Sequence, residues 1–133
     1  MSFRFIIENI YDQYSNAWNR RDIESMMKSF SENASIELPS NEITSDEYTV
    51  TKLTGKEKIQ GYYQQFFNSQ AYFTTEKIDI ITRNKLVTVR ERIVGSSRLI
   101  KKTFRLNEYG KLEYMHIKFY QKELGSFSLF KFS

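Results

Sequence analysis

From residue 86 onward, the chain places an apolar side chain at every second position, three times in succession. Segment 86–94 sets Val87, Val89 and Ile93 against Thr88, Arg90 and Arg92. Segment 98–106 sets Ile100, Phe104 and Leu106 against Lys101, Thr103 and Arg105. Segment 111–121 sets Met115, Ile117 and Phe119 against Tyr114, His116, Lys118 and Tyr120. A period of two means strands with one dry face and one wet face. Gly95-Ser96-Ser97 and Asn107-Glu108-Tyr109-Gly110 are turns. A fourth β-rich segment, 72–82, comes before them and is closed by Arg83-Asn84-Lys85. The second half is therefore an antiparallel meander whose apolar face needs a cover.

The first half supplies that cover. Phe3, Ile6, Ile7, Ile10, Tyr14, Ala17 and Trp18 follow the helical stripe, and Asn19-Arg20-Arg21 breaks it. Asp22 is an N-cap for a short second helix with Ile23, Met26, Met27 and Phe30 inward. Ala34–Leu38 reads as a short strand stopped by Pro39. Residues 40–53 are polar and irregular, with a strand expected around Tyr48-Thr49-Val50. Thr54-Gly55-Lys56-Glu57 has the spacing of a capping box for a third helix that buries Ile59, Tyr62, Tyr63 and Phe66. The fold class is α+β: three N-terminal helices packed on a curved, mostly antiparallel sheet, as one domain over residues 1–133. The tail, 122–133, is apolar and aromatic, an association hazard if exposed.

Composition removes several function classes. There is no cysteine and a single histidine, so thiolate metal sites, cysteine nucleophiles and multi-histidine centres are out, and neither a metal nor a cofactor is expected. The five glycines form no phosphate-cradling motif. No apolar run approaches the ~20 residues of a membrane helix. Glu8 and Asp12 interrupt the apolar start, so no signal peptide is read and a cytoplasmic location is expected. The net charge of +4 permits anionic partners without demanding nucleic acid.

Two charges break the dry face of the meander. With a two-residue turn at Ser96-Ser97, Ile93 pairs with Ile100, Glu91 with Lys102 and Val89 with Phe104. Glu91 and Lys102 then lie opposite each other on the inward side, where either charge alone would be very costly. They form an ion pair at the mouth of the sheet, or they work in a cavity as an acid or base and an anion contact. His116 falls on the outer face with Arg90, Arg92, Lys101, Arg105, Lys118, Tyr114 and Tyr120. That face suits solvent or a homodimer interface better than single-stranded nucleic acid.

The order of these elements resembles the nuclear transport factor 2-like superfamily, in its SnoaL-like and ketosteroid isomerase-like group. The resemblance rests on Tyr14-Ser15-Asn16-Ala17-Trp18-Asn19-Arg20-Arg21-Asp22, Met27-Lys28-Ser29-Phe30 and Asn33-Ala34-Ser35-Ile36-Glu37-Leu38-Pro39. It continues in Gly55-Lys56-Glu57-Lys58-Ile59 and Tyr109-Gly110-Lys111-Leu112, and spans about Ile10 to Tyr120. It implies a cone-shaped, cystatin-like half-barrel with a pocket between helix and sheet. In isomerases of this kind a helix-1 tyrosine supports an oxyanion, and Tyr14 matches it. The general base precedes the strand-ending proline, and here that position is Leu38. The second oxyanion donor is a protonated aspartate, and here that position is Lys102. Two of three groups are missing.

The reading that follows is a domain that binds a small apolar molecule. Its expected lining is Tyr14, Trp18, Leu38, Tyr62, Phe66, Val89, Phe104, Met115 and Ile117, with Glu91 and Lys102 among them. The alternatives are an isomerase, cyclase or dehydratase using Tyr14, Glu91 and Lys102, and a non-catalytic dimeric interaction module.

Overall fold

The computed structural model describes residues 3–39 and 50–120. In chain order the elements are α1 (Phe3–Asn19), α2 (Ile23–Met27), β1 (Phe30–Pro39), β2 (Val50–Thr54), α3 (Lys56–Phe67), β3 (Thr75–Arg83), β4 (Leu86–Ile93), β5 (Leu99–Leu106) and β6 (Leu112–Tyr120). The strands form one six-stranded sheet in the order β2-β1-β6-β5-β4-β3. All neighbours are antiparallel except β1 and β6. Register shifts interrupt β1/β6, β3/β4 and β5/β6, and such irregularities bend and twist a sheet. The three helices lie on the concave face, giving the expected α+β architecture.

The helices form where their sequences direct. Asp22 caps α2 as expected: Ser25 N donates to its Oδ1 at 3.1 Å and Ser25 Oγ to its Oδ2 at 2.8 Å. That hydrogen bonding also holds the Asp22 carboxyl below its ordinary pKa. Between the helices Arg21 takes a left-handed φ of 57°. Its guanidinium donates to Phe67 O at 3.2 Å, at the end of α3, and covers the Tyr72 ring at 4.1 Å.

Several local expectations are corrected. On α1 the buried stripe is Ile7, Tyr11, Tyr14, Ala17 and Trp18, while Ile6 is 40% exposed. The stripe is rotated, and Tyr11 enters the core in place of Ile6. Phe30 belongs to β1, not to α2, and β1 begins four residues before Ala34. Val50 is in a strand as expected, but that strand, β2, runs on through Thr54 where irregular chain was expected, and Tyr48 and Thr49 lie outside the described residues. Thr54 ends β2 and does not cap α3. Gly55 takes that place at φ 102° with no side-chain cap. The apolar tail, 122–133, also lies outside the described residues.

The β4–β5 register differs by two from the expected one. Glu91 pairs with Ile100, Val89 with Lys102 and Val87 with Phe104. The turn explains the shift. Ser96 N donates to Ile93 O at 3.1 Å, so the tight turn is Ile93–Ser96. Gly95 sits at its third position with φ 82°, where a positive φ is needed and glycine supplies it. A shift of two preserves the face of every side chain, and Glu91 and Lys102 both remain inward.

The core lies between α1, α3 and the concave sheet face. Trp18 is its centre. Its ring meets Tyr63, Phe66 and Phe67 edge-on at 5.3 to 5.8 Å, favourable aromatic geometry. Its Nε1 donates to Phe73 O at 2.9 Å.

Candidate functional site

Strand β5 delivers Lys102 to the concave face, and β4 delivers Glu91 beside it on the diagonal. Lys102 is 4% exposed and Glu91 is fully buried. Lys102 Nζ stands 3.0 Å from Glu91 Oε1. The contact is Coulombic and not an aligned hydrogen bond, since Oε1 has no hydrogen-bond partner. Oε2 accepts from the Tyr11 hydroxyl. The Lys102 ammonium also stands 5.0 Å from the Tyr14 ring centroid and 5.5 Å from that of Trp18. Ring faces attract a cation at such distances.

A second polar contact lies on the other side of Tyr14, whose hydroxyl is 3.0 Å from that of Tyr63, with either able to donate. Burial pushes both hydroxyls well above their ordinary pKa. Burial and then the Glu91 charge push Tyr11 up likewise. All three tyrosines therefore stay protonated and remain donors at neutral pH.

Next to Lys102 is a cavity of about 20 Å³, room for about one water molecule. Of the expected site residues, Tyr14, Trp18, Leu38, Tyr62, Phe66, Lys102 and Ile117 line it. Tyr63, Phe73, Ile100 and Phe119 complete the wall. Val89, Phe104 and Met115 do not line it. Phe104 and Met115 border a separate crevice that also touches Tyr11, and Val89 is buried in the core. Glu91 is absent from the wall, behind Lys102. Tyr62, Phe66, Phe73 and Phe119 are half-buried, and they form the rim.

Sequence reasoning missed the wall residues Tyr63, Phe73, Ile100 and Phe119, and also Tyr11, which does not line the cavity but holds Glu91. For Tyr11 a signal was present. The signal was its spacing of three and seven residues from Tyr14 and Trp18, which fits one helix face as well as the chosen stripe.

His116 stays on the outer face, opposite Thr103. Beside it the Tyr114 hydroxyl donates to Glu37 Oε1 at 3.3 Å, so Glu37 is directed away from the cavity. Among the described residues no three His, Cys, Asp or Glu side chains converge as metal ligands. Nor, among the described residues, is any helix long and apolar enough to cross a membrane.

Comparison with known proteins bears on the family and the fold. Residues 11–123 match the family model of the SnoaL-like domain. No curated protein matches the chain. Among solved structures, a SnoaL-like protein of unknown function from Burkholderia thailandensis superposes with a TM-score of 0.75 at 15% identity, covering 90% of this chain and 99% of that one. A candidate polyketide cyclase from Sinorhizobium meliloti gives 0.67 at 16% identity, covering 83% and 94%. A de novo designed protein with a curved β-sheet gives 0.65 at 13% identity, covering 88% and 86%. At these identities the likeness is one of fold, and a fold shared that widely does not carry a function.

Proposed function

The chain belongs to the SnoaL-like domain family, and on that premise we propose that it binds a small, mostly apolar molecule in the aromatic cavity beside Lys102, without performing chemistry on it. One observation carries this reading: a nearly fully buried ammonium faces a cavity otherwise walled by aromatic and aliphatic side chains. An ammonium has three protons to donate. Glu91 and two ring faces engage it in part, which leaves capacity for a further ligand group, an acceptor oxygen or a ring face. Ligand sites have this composition, an apolar wall with a few placed polar groups. The cavity as it stands holds about one water molecule, so both entry and occupancy require the half-buried rings of Tyr62 and Phe66 to turn aside.

Catalysis by proton abstraction is less well supported. A general base must reach the carbon acid. Glu91 does not line the cavity and is paired with Lys102, and Leu38, 5% exposed, stands in the wall where the resemblance puts a base.

The test uses Trp18, the sole tryptophan of the chain. Titration with 4-phenylbutan-1-ol, one ring and one acceptor oxygen, is expected to change its emission saturably. Leu38→Phe, which fills the deep end, is expected to abolish the response. A flat titration of the wild type would sink the proposal.

The size of the cavity favours a second reading, a non-catalytic interaction module used through its surface. Ile78, Ile81 and Leu86 of the β3–β4 hairpin are 41–52% exposed and would form the contact. Self-association that disappears with Ile81→Lys, alongside a flat titration, would support it.

A further inference from the structure

The concave row of β5 continues past Lys102 toward the rim. Side chains two apart on a strand share a face, so Arg98, Ile100 and Lys102 run in one line. Arg98 immediately precedes β5 and extends its pairing, Ile93 N donating to Arg98 O at 3.0 Å. Lys102 lies four positions after Arg98, about 13 Å of strand, and Ile100 between them is part of the cavity wall. Arg98 is half-buried. Its guanidinium carbon lies 5.7 Å from the centroid of Phe119. That ring lines the cavity and meets Phe73 edge-on at 6.2 Å. Arg98 is not part of the cavity wall, and it stands outside it, against the rim ring of Phe119.

Among the described residues the charges at this end do not balance. Lys102 is matched by Glu91. Arg98 belongs to none of the ion pairs among the described residues. Its Nε is buried and, among the described residues, has no hydrogen-bond partner. A buried donor left unmade is costly, and each such group calls for an explanation. Lys102, Glu91 and Arg98 together sum to one positive charge. The planar guanidinium fork fits a carboxylate with two parallel bonds, which an ammonium cannot do.

We infer that Arg98 is the anion-reading end of the cavity, and that the ligand is a monocarboxylate with an apolar, ring-bearing body. The carboxylate pairs with Arg98 at the rim and the body fills the aromatic slot toward Lys102. This rests on the binding function proposed above and adds the ligand's charge and its orientation.

Calorimetry with 4-phenylbutanoate and 4-phenylbutan-1-ol separates the two claims. The wild type is expected to bind the acid about tenfold more tightly than the alcohol, the scale of one charged hydrogen-bonded contact. Arg98→Gln is expected to bring the acid down to the alcohol and leave the alcohol unchanged. In the unsubstituted protein, the Arg98 Nε–H resonance is expected to move with the acid and not with the alcohol, a readout independent of how any variant folds. Equal binding of acid and alcohol, a preference that survives Arg98→Gln, or an unmoved Nε–H signal overturns the inference and leaves the binding function standing. A preference removed by Lys102→Met but not by Arg98→Gln places the carboxylate at the deep end and overturns it too. Binding of neither compound overturns both.

Discussion

Tyr11 and Glu91, 80 residues apart in sequence, meet in the core, where the tyrosine hydroxyl donates to Oε2 of the carboxylate. The bond ties α1 to β4 through two groups that are 3% and 0% exposed. Tyr11→Phe removes only the hydroxyl and leaves a buried carboxylate oxygen without its donor. A loss of about 1–3 kcal/mol is expected from such an orphaned group. Urea unfolding of the two proteins measures it. A variant as stable as the wild type would mean that water replaces the hydroxyl.

The Glu91–Lys102 pair has an asymmetric expectation. Removing one partner leaves a buried charge unmatched, and Lys102→Met is expected to cost about 3–5 kcal/mol. Glu91→Leu combined with Lys102→Met removes both charges and replaces them with groups that can pack. The double variant is expected to recover most of that loss, because apolar replacement of a buried pair is often neutral or stabilising. A full double-mutant cycle in urea gives the coupling. Additive losses would show that the two charges are stabilised separately.

Alternation carried most of the fold. It assigned Glu91 and Lys102 to the concave face, and a register error of two could not move them off it. Which residue each one faces across the ladder depended on the turn. Ser96-Ser97 and Val94-Gly95 both look like turn centres, and only the positive φ at Gly95 decides between them. The helix stripe was less secure, since Ile6 and Tyr11 satisfy the same spacing rule and the choice depends on where Glu91 sits. Val89, Phe104 and Met115 were assigned to the wall because they share a face with residues that do line it. A shared face does not reveal which part of it the helices cover. Bulky rings of α1 and α3 crowd the concave face, and the cavity they leave is about 20 Å³.

Acid sensitivity is expected at Asp79. Hydrogen bonds from Arg90, with Nε 2.9 Å from Oδ1, hold the Asp79 carboxyl below its ordinary value of 3.8. A depressed carboxylate pKa stabilises the fold above the unfolded value, and that stability is lost as pH falls through the folded value. The pair is partly exposed, so its contribution at neutral pH is small, about 0.2–1 kcal/mol. Asp79→Asn is expected to be less stable than the wild type at pH 7 by that amount. The gap should begin to close near pH 4 and be gone below the folded pKa. A gap that persists at pH 2 would assign the difference to packing instead of charge.

The end of α1 is fastened to the start of β3 by one side chain. Asn19 Nδ2 donates to Thr75 O at 2.9 Å, and Thr75 N donates back to Asn19 Oδ1 at 2.9 Å. The amide imitates a strand partner at the edge of the sheet, next to Phe73 and the cavity rim. Thr75 is 5% exposed, so Asn19→Ala strips two buried backbone groups of their partners in a place water reaches poorly. A cost of about 1–3 kcal/mol is expected, and aspartate should restore less than asparagine because it accepts but cannot donate. Hydrogen exchange locates the effect. The Thr75 amide should lose its protection in Asn19→Ala while amides in the middle of β5 change only with global stability. Uniform loss across the sheet would show that this contact holds up the whole fold and not the rim alone.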